Sequence, residues 1–178
     1  MAEHSLAMML ALSQNIVEAH SETLAGNWSI RDSGRMFELF GKTAGIIGTG
    51  AIGKETAKLC AALGMNVITC NSRSTREELE TLLRVSDVVS LHVPLTDKTR
   101  GMISGRELGI MKKSAILINC ARGGVVDEKA LAEALNDGVI YGAVLLFLTV
   151  RNGLMLRTKM FFAAAIWPFV IKKVCNDR

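Results

Sequence analysis

Six consecutive residues, Gly48-Thr49-Gly50-Ala51-Ile52-Gly53, carry the clearest chemical pattern in the chain. They leave an apolar run, Thr43 to Ile47, that reads as a strand, and they open a run from Ala51 that reads as a helix. Glycine makes up 16 of 178 residues, so the spacing acquires meaning only from that strand-to-helix context. There Gly48 permits a tight turn, Gly50 lets a pyrophosphate approach the backbone, and Gly53 lets the helix pack against the strand. The helix start adds unpaired N–H groups and a positive dipole end. The same glycines would also suit a purely structural turn.

A dinucleotide site needs a second recognition point about 20 residues on, where an Asp or Glu ordinarily holds the ribose 2′-hydroxyl. Here the run Asn66 to Cys70 reads as the next strand and is followed by Asn71-Ser72-Arg73-Ser74, with no acid before Glu77. A carboxylate would repel a 2′-phosphate, whereas Ser72 and Arg73 can bind one, Arg73 through a fork of donors. The expectation is a nicotinamide dinucleotide, NADP or NAD, with NADP favoured. The alternative makes Arg73 a solvated loop charge.

Arg122 is the third candidate. It follows Ala115 to Asn119, a strand candidate without a charge, at the carboxyl end where open α/β sheets bind ligands. A guanidinium there can grip the carboxylate of a small 2-keto or 2-hydroxy acid through two parallel hydrogen bonds. Alternatively it pairs with Asp127 or Glu128 as a structural ion pair.

The elements that must position these residues alternate regularly. Helical spacing of Leu6, Met9, Leu10, Ser13, Ile16 and Val17 predicts one helix from Ala2 to His20, and a looser segment leads to Gly41. Then come strands at 43–47, 66–70, 87–91, 115–119 and 140–145, with helices at 51–63, 75–84, 104–111 and 127–136. Short apolar strands alternating with helices imply parallel pairing with helices on both faces. The fold class is α/β, a Rossmann-type doubly wound parallel sheet. Residues 1–40 read as its lead-in, 41–145 as the nucleotide-binding unit and 146–178 as a tail of different composition.

The formal charge of +4 owes much to that tail, where Arg151, Arg157, Lys159, Lys172, Lys173 and Arg178 face Asp177 alone. No basic stripe interleaved with aromatics appears, so no nucleic-acid partner is expected. Cys60, Cys70, Cys120 and Cys175 form no paired motif, which argues against a disulfide framework or metal site and for a reducing compartment. Glu3 and His4 stand where a signal peptide needs positive charge. The apolar run from Met160 to Ile171 is shorter than the ~20 residues of a spanning helix. The expectation is a cytoplasmic protein without a membrane partner.

Taken together the motifs resemble the D-isomer-specific 2-hydroxyacid dehydrogenases from about Ala2 to Leu145. Gly41-Lys42-Thr43 with Gly45-Ile46-Ile47-Gly48 resembles the family's first strand and glycine loop. Ser86-Asp87-Val88-Val89 with Leu91-His92-Val93-Pro94-Leu95-Thr96 resembles its third strand and following turn. Leu117-Ile118-Asn119-Cys120-Ala121-Arg122-Gly123-Gly124-Val125-Val126-Asp127 resembles its most diagnostic stretch. The resemblance implies that His92, Pro94, Thr99, Cys120 and Ala121 lie against the cofactor. It also implies that Arg122 binds substrate, and that Asn71 to Ser74 follow the NADP-preferring reductases of the family. His20 and His4 read as surface or packing residues.

The departures matter as much. Family members begin with a substrate domain, whereas this sequence opens at the helix that follows it. After Leu145 the family continues with Asp-Val, its aspartate reaching the nicotinamide amide, then supplies a glutamate and histidine for proton transfer. This chain has Leu146-Phe147, no histidine after His92, and only Asp177 as an acid beyond Asp137. A reading-frame slip near Leu145 would produce such a tail. A divergent terminus packing Phe161, Phe162, Ile166 and Trp167 as a helix is the alternative. The resemblance therefore implies an oxidoreductase that transfers hydride between a nicotinamide cofactor and a 2-hydroxy or 2-keto acid, present here mainly as its cofactor-binding part with little turnover alone. The alternative is a non-catalytic dinucleotide-binding module, a sensor or a partner-binding protein. A methyltransferase would share the glycine loop, but it leaves Arg122 unexplained and would want an acid after Cys70. With Leu6, Met9 and Leu10 uncovered by a substrate domain, a homodimer is expected.

Overall fold

The computed structural model describes residues 1–28 and 36–147, together with the backbone of 160–162. Its centre is a parallel sheet built from β1 (Thr43–Ile47), β2 (Asn66–Cys70), β3 (Val88–Leu91), β4 (Ile116–Asn119), β5 (Gly142–Leu145) and β6 (Met160–Phe162). The spatial order is β2-β1-β3-β4-β5-β6. The chain runs from β1 to β2 on one side, then returns across β1 to β3 on the other. The strand order therefore reverses between β1 and β3, where such sheets open a ligand crevice.

Every residue of β3, β4 and β5 is buried, which explains why these strands carry no polar face. Alternate side chains feed two separate cores. On one face Ala44, Ile46, Val88, Ile116, Ile118 and Val144 meet α1 (Ala2–Ser13) and α3 (Ala51–Ala62) through Met9, Leu12 and Cys60. On the other, Ile47, Val89, Leu91, Leu117, Ala143 and Leu145 meet α4 (Arg76–Val85), α5 (Gly105–Ile110) and α6 (Glu128–Asn136) through Leu82, Leu83, Leu108 and Leu131.

Three expectations need correction. The lead-in is two helices, because Asn15 adopts φ +52°, ψ +36° between α1 and α2 (Ile16–Leu24). Asparagine tolerates this left-handed conformation, and its side-chain amide donates to Glu18 at 2.8 Å. The break turns Ile16 and Val17 outward, 52% and 48% exposed. Second, Met9 is fully buried against the protein's own sheet, with Leu6 and Leu10 packed beside it. The uncovered apolar surface lies instead on α2 and beyond it, at Ile16, Val17, Leu24 and Trp28. Third, Phe161 and Phe162 belong to a strand paired with Val144 and Leu145, not to a helix, so that the ladder groups of β5 find partners. Ile166 and Trp167 lie outside the described residues. No helix among the described residues is long and apolar enough to cross a membrane.

One residue, Asp87, ties the amino ends of three strands. Asp87 Oδ2 accepts from Thr43 N–H at 2.9 Å, its Oδ1 accepts from Lys112 Nζ at 2.9 Å, and its carbonyl accepts from Ile116 N–H. Burial opposes its ionisation, but the Thr43 N–H and the Lys112 ammonium outweigh that and hold the carboxyl below the usual range. Asp87→Ala should cost about 2 kcal/mol in denaturant unfolding at neutral pH. Because the native pKa is the lower one, the contribution is present above the ordinary carboxylate pKa and fades as pH falls through the native value. An unchanged denaturation midpoint would contradict this.

Candidate functional site

Parallel register sets the carboxyl ends of five strands in one row: Cys70, Ile47, Leu91, Asn119 and Leu145. The ladder continues one step beyond, with Gly48 N–H bonded to Cys70 O at 2.8 Å, His92 N–H to Ile47 O at 2.7 Å, and Leu146 N–H to Asn119 O at 2.9 Å. The candidate residues from Gly48 to Gly53, Asn71 to Arg73, His92 to Thr99 and Cys120 to Arg122 thus all emerge on the same edge.

At the switch point the glycines have distinct duties. Gly48 sits at φ +101°, and a Cβ there would stand 2.4 Å from the His92 carbonyl oxygen. A Cβ on Gly53 would stand 1.8 Å from the Gly48 carbonyl oxygen. Gly50 is different: nothing lies within 4 Å of where its Cβ would be. It is the N-cap of α3, has no side-chain cap, and is followed by a first turn without an acid. The first N–H groups of the helix therefore point from an open, electropositive terminus, with Ala51 and Ile52 exposed and Thr49 half-buried. The first two glycine contacts build the turn, and the open space before Gly50 fits a pyrophosphate.

Beside it, the loop after β2 is a tight turn. Asn71 Oδ1 accepts from Arg73 N–H at 2.9 Å, and Ser74 Oγ accepts from Asn71 N–H at 3.2 Å. Ser72 and Arg73 remain exposed, and Arg73 forms no ion pair with the described residues. The nearby acid Glu78 is engaged in the capping box of α4, accepting from Thr75 N–H at 2.8 Å. An exposed loop carrying Arg73 and Ser72, whose arginine is unpaired among the described residues, suits a phosphate oxygen.

Other candidates are held in more varied ways. Thr99 Oγ1 donates to the Pro94 carbonyl at 2.6 Å and accepts from Thr96 N–H at 2.8 Å, bracing the turn after β3. Pro94 is exposed at the rim. The Cys120 thiol faces the core shared with Met9 and Leu12, and burial pushes its pKa up. Any contact of Cys120 with a nucleotide would therefore use backbone. Ala121 is half-buried, its N–H donating to Asn119 Oδ1 at 3.1 Å, while Asn119 Nδ2 donates to the Arg122 carbonyl at 2.9 Å. That clamp fixes the turn from which the exposed Arg122 side chain projects, its Nη1 donating to the Ala121 carbonyl at 2.8 Å. Asp127 faces the start of α6, accepting from Lys129 and Ala130 N–H.

Two side chains were not legible as site residues. Asn119 acts through the backbone turn, for which the strand pattern holds no sign. Ser90, fully buried, lies 3.0 Å from His92 Nε2. Here the spacing Ser-x-His on a strand was a usable signal, since residues two apart share a face. Burial drives the His92 pKa down to about 4. At neutral pH its ring is therefore uncharged and is no source of an acidic proton.

The switch point, the open helix terminus and the row of carboxyl ends define an α/β dinucleotide-binding domain. The family signature described as "D-isomer specific 2-hydroxyacid dehydrogenase, NAD binding domain" matches residues 6–148, and the chain belongs to this family. Glycerate dehydrogenase of Methylorubrum extorquens is 46% identical over 148 residues, covering 79% of this chain and 47% of that enzyme. Among solved structures, the NAD complex of D-isomer specific 2-hydroxyacid dehydrogenase from Lactobacillus delbrueckii ssp. bulgaricus superposes with TM-score 0.75 at 36% identity. It covers 83% of this chain and 47% of that one. An acyclic imino acid reductase in complex with NADPH and D-Arg gives TM-score 0.82 at 31% identity, covering 90% and 55%. The chain thus spans about half the length of these relatives.

The geometry separates the last two glycines of the loop. Gly53→Ala should cost about 3 kcal/mol, since its methyl meets backbone that must move, whereas Gly50→Ala should stay within about 1 kcal/mol as a poorer N-cap. Equal losses in thermal unfolding would contradict the assignment of Gly50 to ligand approach. For His92, a ring NMR titration should give a midpoint near 4. With the native pKa below the unfolded value of about 6.5, its contribution to stability is full above pH 6.5. It is lost as pH falls toward 4. A midpoint at 6.5 would refute the buried neutral ring.

Proposed function

We propose that this chain binds a nicotinamide dinucleotide along the carboxyl row, preferring NADP to NAD, and presents Arg122 to a small 2-keto or 2-hydroxy acid. The observation that carries the reading is the open, uncapped terminus at Gly50 beside an acid-free Asn71-Ser72-Arg73 turn. The pyrophosphate would lie against the Gly48–Gly53 loop, with Thr49, Ala51 and Ile52 offering backbone donors. The 2′-phosphate would meet Ser72 and Arg73. His92, Pro94, Thr99, Cys120 and Ala121 would line the path toward Arg122, and residues 41–145 would form the binding unit.

The cofactor, when bound, supplies or accepts the hydride. The Arg122 guanidinium would hold the substrate carboxylate by two parallel hydrogen bonds and so orient its carbonyl. Reduction also needs a proton at the forming alkoxide, and a positioned acid contributes ~10²–10⁴-fold. No described residue at this edge provides one: His92 is neutral, and Leu146, buried at the end of β5, is apolar. This chain by itself should therefore turn over hydroxypyruvate or glyoxylate with NADPH very slowly. A dimer through the apolar surface of α2 accompanies this reading.

A dinucleotide-dependent sensor is the second reading, favoured by the lack of that acid, while Arg122 speaks for the first. Calorimetric titration should show NADPH binding at least about tenfold tighter than NADH, and Arg73→Ala should remove most of the difference, as loss of a charged hydrogen bond does. Glyoxylate should tighten NADPH binding in the wild type but not in Arg122→Ala. Equal affinity for the two cofactors would overturn the NADP preference. Indifference to the keto acid would favour the sensor.

A further inference from the structure

The Ser90–His92 pair decides how the mouth of the crevice is equipped. Ser90 is fully buried on β3, and among the described residues its hydroxyl has one partner, His92 Nε2 at 3.0 Å. A serine hydroxyl carries one proton and two acceptor positions, and a neutral imidazole carries its proton on one nitrogen only. If Nε2 were the donor, the Ser90 proton would be buried without an acceptor, at the full desolvation penalty of an unmade bond. If Ser90 donates, Nε2 uses its lone pair and the ring proton must reside on Nδ1. The second arrangement leaves no buried proton stranded.

Nδ1 has no partner among the described residues, and it is not sealed inside. His4 Nε2 is the single fully buried side-chain nitrogen or oxygen among them that lacks a partner. His92 itself stands on the glycine loop. Its carbonyl is the atom a Gly48 Cβ would strike at 2.4 Å, and its own Cβ lies 3.4 Å from where a Gly53 Cβ would be.

We propose that Ser90 is a positioning residue that locks His92 as the Nδ1–H tautomer, so that a neutral N–H donor is presented beside the glycine loop to an anionic oxygen of the bound nucleotide. The tautomer stands on the geometry alone, and the donor role rests on the dinucleotide reading above. A neutral donor suits the place: the helix terminus already supplies positive potential, and an uncharged ring keeps the same hydrogen-bond pattern throughout the neutral range.

Long-range ¹H–¹⁵N spectra of the His92 ring test both parts on the intact chain. Before nucleotide is added, a pyrrole-type signal at Nδ1 and a pyridine-type signal at Nε2 are expected, and the reverse pattern would overturn the lock. Adding NADPH should shift the Nδ1–H signal together with the Gly50 and Ala51 amides. Amides that move while the ring stays still would overturn the donor role. Amides that do not move at all would overturn the dinucleotide reading and the donor role with it, leaving the ligand-free spectrum to judge the tautomer. Ser90→Ala should lose the pure Nδ1–H signature and weaken NADPH about fivefold, while a retained signature and affinity would contradict the proposal.

Discussion

The close approach of α3 to the end of β1 is the constraint on which the rest of the site depends. A Cβ at Gly53 would lie 1.8 Å from Gly48 O, and a Cβ at Gly48 would lie 2.4 Å from His92 O. These distances leave no room for any side chain at either position, so helix, turn and the neighbouring strand end pack as one body. The Ile47–His92 hydrogen bond at 2.7 Å closes the same corner from the β3 side. Only with that corner closed does Gly50 face open space at the helix terminus. The unpaired donors of the first turn then become a binding surface rather than a defect.

Along the row of carboxyl ends the chemistry changes from one side to the other. Near β1 and β2 it is donor-rich, with helix N–H groups and Arg73, and the nearest acid is held in a helix cap. In the middle, Asn119 spends its whole amide on the turn that carries Arg122, which makes the arginine's origin rigid while leaving its guanidinium exposed. At β5 the edge becomes apolar at Leu146. Charged and donor groups are therefore concentrated beside the Gly50 terminus, at Arg73 and at Arg122, while the far end of the row is apolar.

The two cores explain how such an edge is kept in register. Side chains alternate between the α1/α3 face and the α4/α5/α6 face along each central strand, so a slip of one residue would exchange both cores at once. At the opposite edge Asp87 binds the amino ends of β1 and β4 to the start of β3. The alignment at the ligand edge is thus set by burial across the whole sheet and not by the loops themselves.

Much of this was legible in the order of residues. The strands 43–47 and 66–70 have the limits that periodicity and glycine punctuation imply, and the other expected elements between 51 and 145 differ by a residue or two at their ends. Short apolar runs alternating with helical runs point to strands of a parallel sheet covered on both faces, and a glycine triplet between such a strand and a helix points to a nucleotide loop. Spacing along the chain could not reveal the break at Asn15, because Ile16 and Val17 preserve helical periodicity while the backbone turns. Nor could it show β6, which exists by pairing with β5, or the clamp of Asn119, which acts through a loop three residues away. The pattern of residue types determined the elements and the identity of the crevice, because burial and backbone conformation are local demands. The tertiary structure alone decided which polar atoms meet at that crevice, as with Ser90 and His92, because a hydrogen bond depends on distances that only packing creates.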